Sequence, residues 1–90
     1  MTKLEIFAQR LKQAREERNL TVRQLAEMIN TSAATISRYE NAIHEPKSNT
    51  IAILAKKLGV NPAWLMGADV DKYEMEESKK KSAKLIPILG

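Results

Sequence analysis

Ser32, Ala33, Ala34, Ser37 and Arg38 lie within one short stretch, "SAATISR", in which Ile36 is the only large apolar residue. Wound as a helix, the stretch turns Ile36 inward together with Tyr39 and leaves Ala33, Ala34, Ser37 and Arg38 on the outside. Two hydroxyls and a guanidinium can donate hydrogen bonds, and alanines add little bulk. That combination suits recognition of a polar surface that the helix must approach closely. It does not suit bond-making. The sequence shows no nucleophile–base pair, no paired carboxylates in a plausible cleft and no glycine-rich phosphate loop, so no catalytic residue is expected. With no cysteine and a single histidine, His44, there is no disulfide framework and no metal cluster, and no cofactor is implied.

The surrounding chain must supply the elements that hold this face. Leu4, Phe7, Ala8, Leu11 and Ala14 recur at i, i+3, i+4, i+7 and i+10, the buried stripe of a first helix. Thr2 and Glu5 have capping-box spacing at its start, and Asn19 is a plausible end. Arg15 falls on the same stripe, where a charge requires a partner. Thr21 and Gln24 repeat the capping pattern for a second helix that buries Val22, Leu25, Ala26 and Ile29, with Asn30 suited to the left-handed turn beyond it. Ser32 caps the third helix. Residues 41–48 form a loop in which His44 is expected to be simply solvated. A fourth helix starts near Ser48 or Asn49, buries Ile51, Leu54, Ala55 and Leu58, and closes at Gly59. Asn61-Pro62 opens a short fifth helix carrying Trp64 and Leu65, closed by Gly67. The predicted fold is all-α: a compact five-helix globule over residues 1–67.

The 90 residues carry a net charge of +4. Residues 1–67 hold ten Lys/Arg against six Asp/Glu, whereas residues 68–90 hold five of each. The excess therefore sits on the helical part and favours an anionic partner, nucleic acid before membrane surface. Residues 68–84 are rich in charge and poor in large apolar residues, which predicts a flexible linker. Residues 85–90, "LIPILG", read as the start of a further C-terminal domain. No signal-peptide pattern or membrane-length apolar run is present, so a cytoplasmic protein without a membrane partner is expected.

The second helix, a three-residue turn and the third helix form a helix-turn-helix. The major groove of B-DNA admits one α-helix, and residues near the start of the second of the paired helices reach the base edges. "TVRQLAEMINTSAATISRYEN" followed by "P…TIAILAKKLGVNPAWLMG" resembles the DNA-binding domain of the lambda and 434 phage repressors, the Cro/CI-type helix-turn-helix regulators, over about residues 3–67. "LIPILG" is similar to the segment where the self-cleaving, LexA-like C-terminal domain of such repressors begins.

The resemblance implies base reading by Ser32, Ala33, Ala34, Ser37 and Arg38. It implies phosphate-backbone contacts by Thr21, Val22, Asn41, Lys47 and Ser48, and a structural ion pair between Arg15 and Glu40. Two departures from the family pattern stand out. Asn30 replaces a usual glycine, and Asn41-Ala42 replaces a usual Asn-Gly. The function these features imply is that of a sequence-specific transcriptional repressor of the temperate-phage CI type, binding an inverted-repeat operator in double-stranded DNA. The full-length protein would be a homodimer, residues 1–90 alone monomeric or weakly dimeric, and an antirepressor protein a further partner. The alternatives are an antitoxin-like or antirepressor-regulated protein whose main task is to bind a protein partner, and an adaptor that keeps the helix-turn-helix as scaffold.

Overall fold

The structure, a computed structural model, describes residues 1–73. The described residues fold into five helices: α1 (Lys3–Glu17), α2 (Val22–Met28), α3 (Ala33–Glu40), α4 (Ser48–Leu58) and α5 (Pro62–Leu65). Among the described residues there is no strand. α2 packs on α3, α1 lies against α3 and α5, and α4 packs on α5. The expected all-α five-helix class is therefore the observed one. The expected "LIPILG" segment and most of the expected linker lie outside the described residues.

Local chemistry sets the helix boundaries. Thr2 and Glu5 form a reciprocal capping box: the Glu5 N–H donates to Thr2 Oγ1 at 3.1 Å and the Thr2 N–H to Glu5 Oε1 at 2.7 Å. Thr21 and Gln24 do the same for α2, at 3.0 and 2.8 Å. Ser32 Oγ accepts the Thr35 N–H at 3.1 Å, and Asn61 Oδ1 accepts the Ala63 N–H at 2.9 Å with Pro62 at the first helical position. α4 differs, because its cap residue, Lys47, makes no side-chain hydrogen bond to the first turn.

All five helices end by one device. A residue with positive φ follows each of them: Asn19 (58°), Asn30 (59°), Ala42 (58°), Gly59 (71°) and Gly67 (104°). In each case that residue's N–H reaches back three positions and the next N–H reaches back five. After α3, for example, Ala42 N–H donates to Tyr39 O at 3.2 Å and Ile43 N–H to Arg38 O at 2.9 Å. This is the Schellman arrangement, which satisfies carbonyls a helix end would leave open. Glycine and asparagine enter the left-handed region readily, whereas alanine there is strained. The two family departures thus have a structural answer. Asn30 and Ala42 adopt the backbone a glycine would, Asn30 at a modest cost and Ala42 at a larger one. The α2–α3 connection runs over four residues, Ile29–Ser32, one more than the sequence suggests, because Ile29 ends α2 rather than lying within it.

The core is the sum of the stripes. Leu11, Leu25, Ile36, Leu54, Leu58 and Leu65 are the largest fully buried side chains, joined by Phe7, Tyr39, Ile51, Val60 and Trp64. Leu4, Leu20, Val22 and Ile29 pack on its margin. Phe7 and Tyr39 meet edge-to-face at 6.2 Å between ring centroids. His44 is exposed, as expected, and its ring stacks on that of Tyr39 at 5.8 Å with the rings 15° apart.

Residues 68–73 follow α5 without helix and lie back across the bundle. The Asn61 N–H donates to Lys72 O at 2.7 Å, and Arg10 Nη1 donates to Trp64 O at 2.6 Å and Ala68 O at 2.9 Å. Lys72 pairs with Glu17 of α1. Arg10 and Lys72 both lie over the Trp64 ring, 4.9 and 5.3 Å from its centroid.

Candidate nucleic-acid interface

The angle between α2 and α3 rests on apolar contact and is locked from behind by one polar network. Arg15 Nε donates to Glu40 Oε2 at 2.6 Å and Arg15 Nη2 to Glu40 Oε1 at 3.1 Å, a two-point grip between α1 and the last turn of α3. Arg15 Nη1 donates to the Leu20 carbonyl at 2.7 Å, just before α2 begins. A single guanidinium therefore ties α1, the entry to α2 and the end of α3. The side chains are largely enclosed, at 11% and 7% relative exposure, so the pair is part of the framework rather than of the outer face. The hydrogen bonds that Arg15 donates to the Glu40 carboxylate, which accepts them, raise the Arg15 pKa further above its ordinary value, and the opposing effect of burial is smaller.

α3 presents the face expected of it. Ile36 and Tyr39 are buried, while Ala33, Ala34, Ser37 and Arg38 are exposed, as is the cap residue Ser32. At about 100° per residue, Ala33, Ser37, Ala34 and Arg38 fall within an arc of about 140° opposite the core. Arg38 makes no hydrogen bond or ion pair among the described residues, so its fork of donors is free. The hydroxyls are less free. Ser32 Oγ caps α3 and exchanges a hydrogen bond with Thr35 Oγ1 at 2.8 Å. Asn41 Nδ2 reaches back one turn to Ser37 O at 2.7 Å and Ser37 Oγ at 3.3 Å.

The residues assigned to backbone contact are spread over three elements around this face. Thr21 is exposed at the start of α2 with its side chain committed to the capping box. Val22 is half-buried and packs on the core, which leaves its N–H as its polar contribution. Asn41 is exposed beyond α3, with its amide nitrogen directed to Ser37. Lys47 and Ser48 are exposed at the uncapped start of α4, where the first N–H groups lack a side-chain acceptor.

One residue escaped the sequence reading. Arg23 is exposed in the first turn of α2, which holds no acidic residue. A cation is disfavoured at the positive end of a helix dipole, and that misfit was a signal available in the sequence. Among the described residues no group of three or more His, Cys, Asp or Glu could hold a metal ion, and no helix is long and apolar enough to cross a membrane.

Two short helices set at an angle, with a locked rear side and an exposed, small and polar front on the second, define a helix-turn-helix domain. The chain belongs to the Helix-turn-helix family HTH_3, whose pattern matches residues 11–65. It is 47% identical over 64 residues to the HTH-type transcriptional repressor RghR of Bacillus subtilis, a match covering 70% of this chain and 47% of that protein. It is 30% identical over 82 residues to the HTH-type transcriptional regulator DicA of Escherichia coli, covering 91% of this chain and 61% of that one. In structure it resembles the clp gene regulator ClgR of Corynebacterium glutamicum, with a TM-score of 0.69, 26% identity, and coverage of 73% of this chain and 70% of that chain. The chain thus spans about half to three-fifths of the length of these two curated relatives.

Proposed function

We propose that residues 1–67 are the DNA-binding domain of a sequence-specific transcriptional regulator, a repressor of the phage CI type. The observation that carries this reading is the outer face of α3: a free guanidinium and small side chains on a helix held rigidly from behind by Arg15 and Glu40. α3 enters the major groove, and Arg38 reaches a base edge there, with guanine O6 and N7 as its best-matched acceptors. Ser32, Ala33, Ala34 and Ser37 face neighbouring base pairs. Phosphates on one side meet Thr21, Val22 and Arg23 at the start of α2. On the other side they meet Asn41 and the uncapped start of α4 at Lys47 and Ser48, where free N–H groups and a lysine favour an anion. Affinity then falls steeply with salt as counterions are released.

Two copies place their α3 helices in successive major grooves of an inverted repeat, with half-site centres about 34–36 Å apart. Repression follows from occlusion of the promoter. Family membership and relatives named as transcriptional repressors and regulators support this reading. The test is selection of bound duplexes from a random pool, followed by sequencing. An enriched inverted repeat or half-site is the expected result. Salt-sensitive binding without any enriched sequence would overturn the reading.

A further inference from the structure

The hydrogen bonds within α3 bear on what it reads. Of the five outer-face residues, Ser32 is occupied as a cap and with Thr35, and Ser37 accepts from Asn41 Nδ2 at its carbonyl and, at 3.3 Å, at its hydroxyl oxygen. Arg38 alone keeps an unengaged, long-reaching set of donors among them. Ala33 and Ala34 are exposed, carry no polar atom beyond the backbone, and stand in the first turn of α3, which lies deepest when such a helix enters a groove. The leading part of the reading face is therefore methyl-lined, and the single strong hydrogen-bonding group follows a turn later. Among the bases, only thymine offers a methyl group to the major groove.

We propose that Ala33 and Ala34 seat against thymine 5-methyl groups, so that the target site carries T at one or two base pairs facing the start of α3 and a guanine facing Arg38. Specificity at the leading positions is then apolar contact, and at the trailing position it is bidentate hydrogen bonding. Ser32, committed as a cap, contributes little discrimination, whereas Ser37 accepts from Asn41 and keeps its O–H as a short-reaching donor. This inference rests on the reading of α3 as the recognition helix.

The test starts from the site enriched by selection. Each thymine of one half-site is replaced in turn by deoxyuridine, which removes the methyl and leaves the Watson–Crick pair intact, and binding of residues 1–90 is measured by fluorescence anisotropy. Removing one well-buried methyl should weaken binding about fourfold. The expected result is such a loss at one or two neighbouring thymines and none at the others. The Ala33→Gly and Ala34→Gly variants should show that loss diminished, with circular dichroism to verify that they fold. The substitution on the DNA leaves the protein untouched, so misfolding cannot mimic the result. If an enriched site exists but every deoxyuridine duplex binds like the parent, methyl reading is refuted while the recognition role of α3 stands. If no site is enriched, the recognition role fails and takes this inference with it.

Discussion

Ala42→Gly should stabilise the domain, although it deletes a methyl group. Ala42 sits at φ 58°, closing α3 with its N–H bonded to Tyr39 O and the following N–H to Arg38 O. An L-residue in this region carries a strain of about 1–2 kcal/mol. Glycine removes it but loses about 0.5–1 kcal/mol more backbone freedom on folding. The Ala42 methyl is only half-buried, so its loss subtracts a few tenths of the ~0.8 kcal/mol of a fully buried group. The net gain is about 0.5 kcal/mol, equivalent to a Tm rise of about 2–4 °C for a domain of this size. Ala34→Gly is the internal control. Ala34 lies within α3, where glycine costs about 1 kcal/mol, so its Tm should fall. Thermal and urea unfolding followed by circular dichroism at 222 nm reads both variants. If Ala42→Gly lowers Tm as Ala34→Gly does, the left-handed closure of α3 by an alanine is wrong.

Other consequences are equally direct. Glu40→Ala leaves the enclosed Arg15 with only the exposed Glu16 carboxylate, 3.9 Å away, and should cost about 3 kcal/mol, whereas the double variant Arg15→Met/Glu40→Leu should cost less than Glu40→Ala alone; equal losses in denaturant titrations would contradict the pairing. Arg38→Ala should lower affinity for the selected site by about 1–3 kcal/mol and relax base preference at one position, as read by repeating the selection. Unchanged preference would remove Arg38 from base reading. Glu5 is held below its usual pKa of 4.5 chiefly by the Thr2 N–H, and Glu17 chiefly by Lys72. Both lowered values add stability that is present above about pH 4.5 and lost as pH falls through the depressed folded-state values. Glu5→Gln, which keeps an acceptor for the Thr2 N–H, should flatten that part of the acid limb of a Tm-versus-pH curve. Lys72→Met should shift the emission of Trp64, the only tryptophan, and weaken the salt sensitivity of that emission; an unchanged spectrum would mean that Lys72 does not lie over the ring.

The sequence by itself determined the elements and the inward face of each. Threonine, serine and asparagine caps at Thr2, Thr21, Ser32 and Asn61 act over three residues or fewer, and apolar stripes repeat at the helical period, so both are written locally. The outer face of α3 was legible for the same reason, as the complement of Ile36 and Tyr39. Arg15 on an apolar stripe announced that it needed a partner, but the bottom-up pattern could not choose one. Glu40 lies 25 residues away, and only the packing of α1 against α3 brings the two together.

Tertiary structure also decided what no local pattern carries. His44 found Tyr39 because the loop after α3 turns back through the left-handed Ala42, a conformation that alanine's own preferences argue against. Lys72 and Arg10 met over Trp64 from opposite ends of the described chain, since α5 packs on α1 and presents the ring between them. Patterns of three or four residues fix helices and their caps because the forces involved act within one turn. Which surfaces then meet, and which polar groups remain free, depends on long-range burial of the leucine core, and that is resolved only when the whole domain closes.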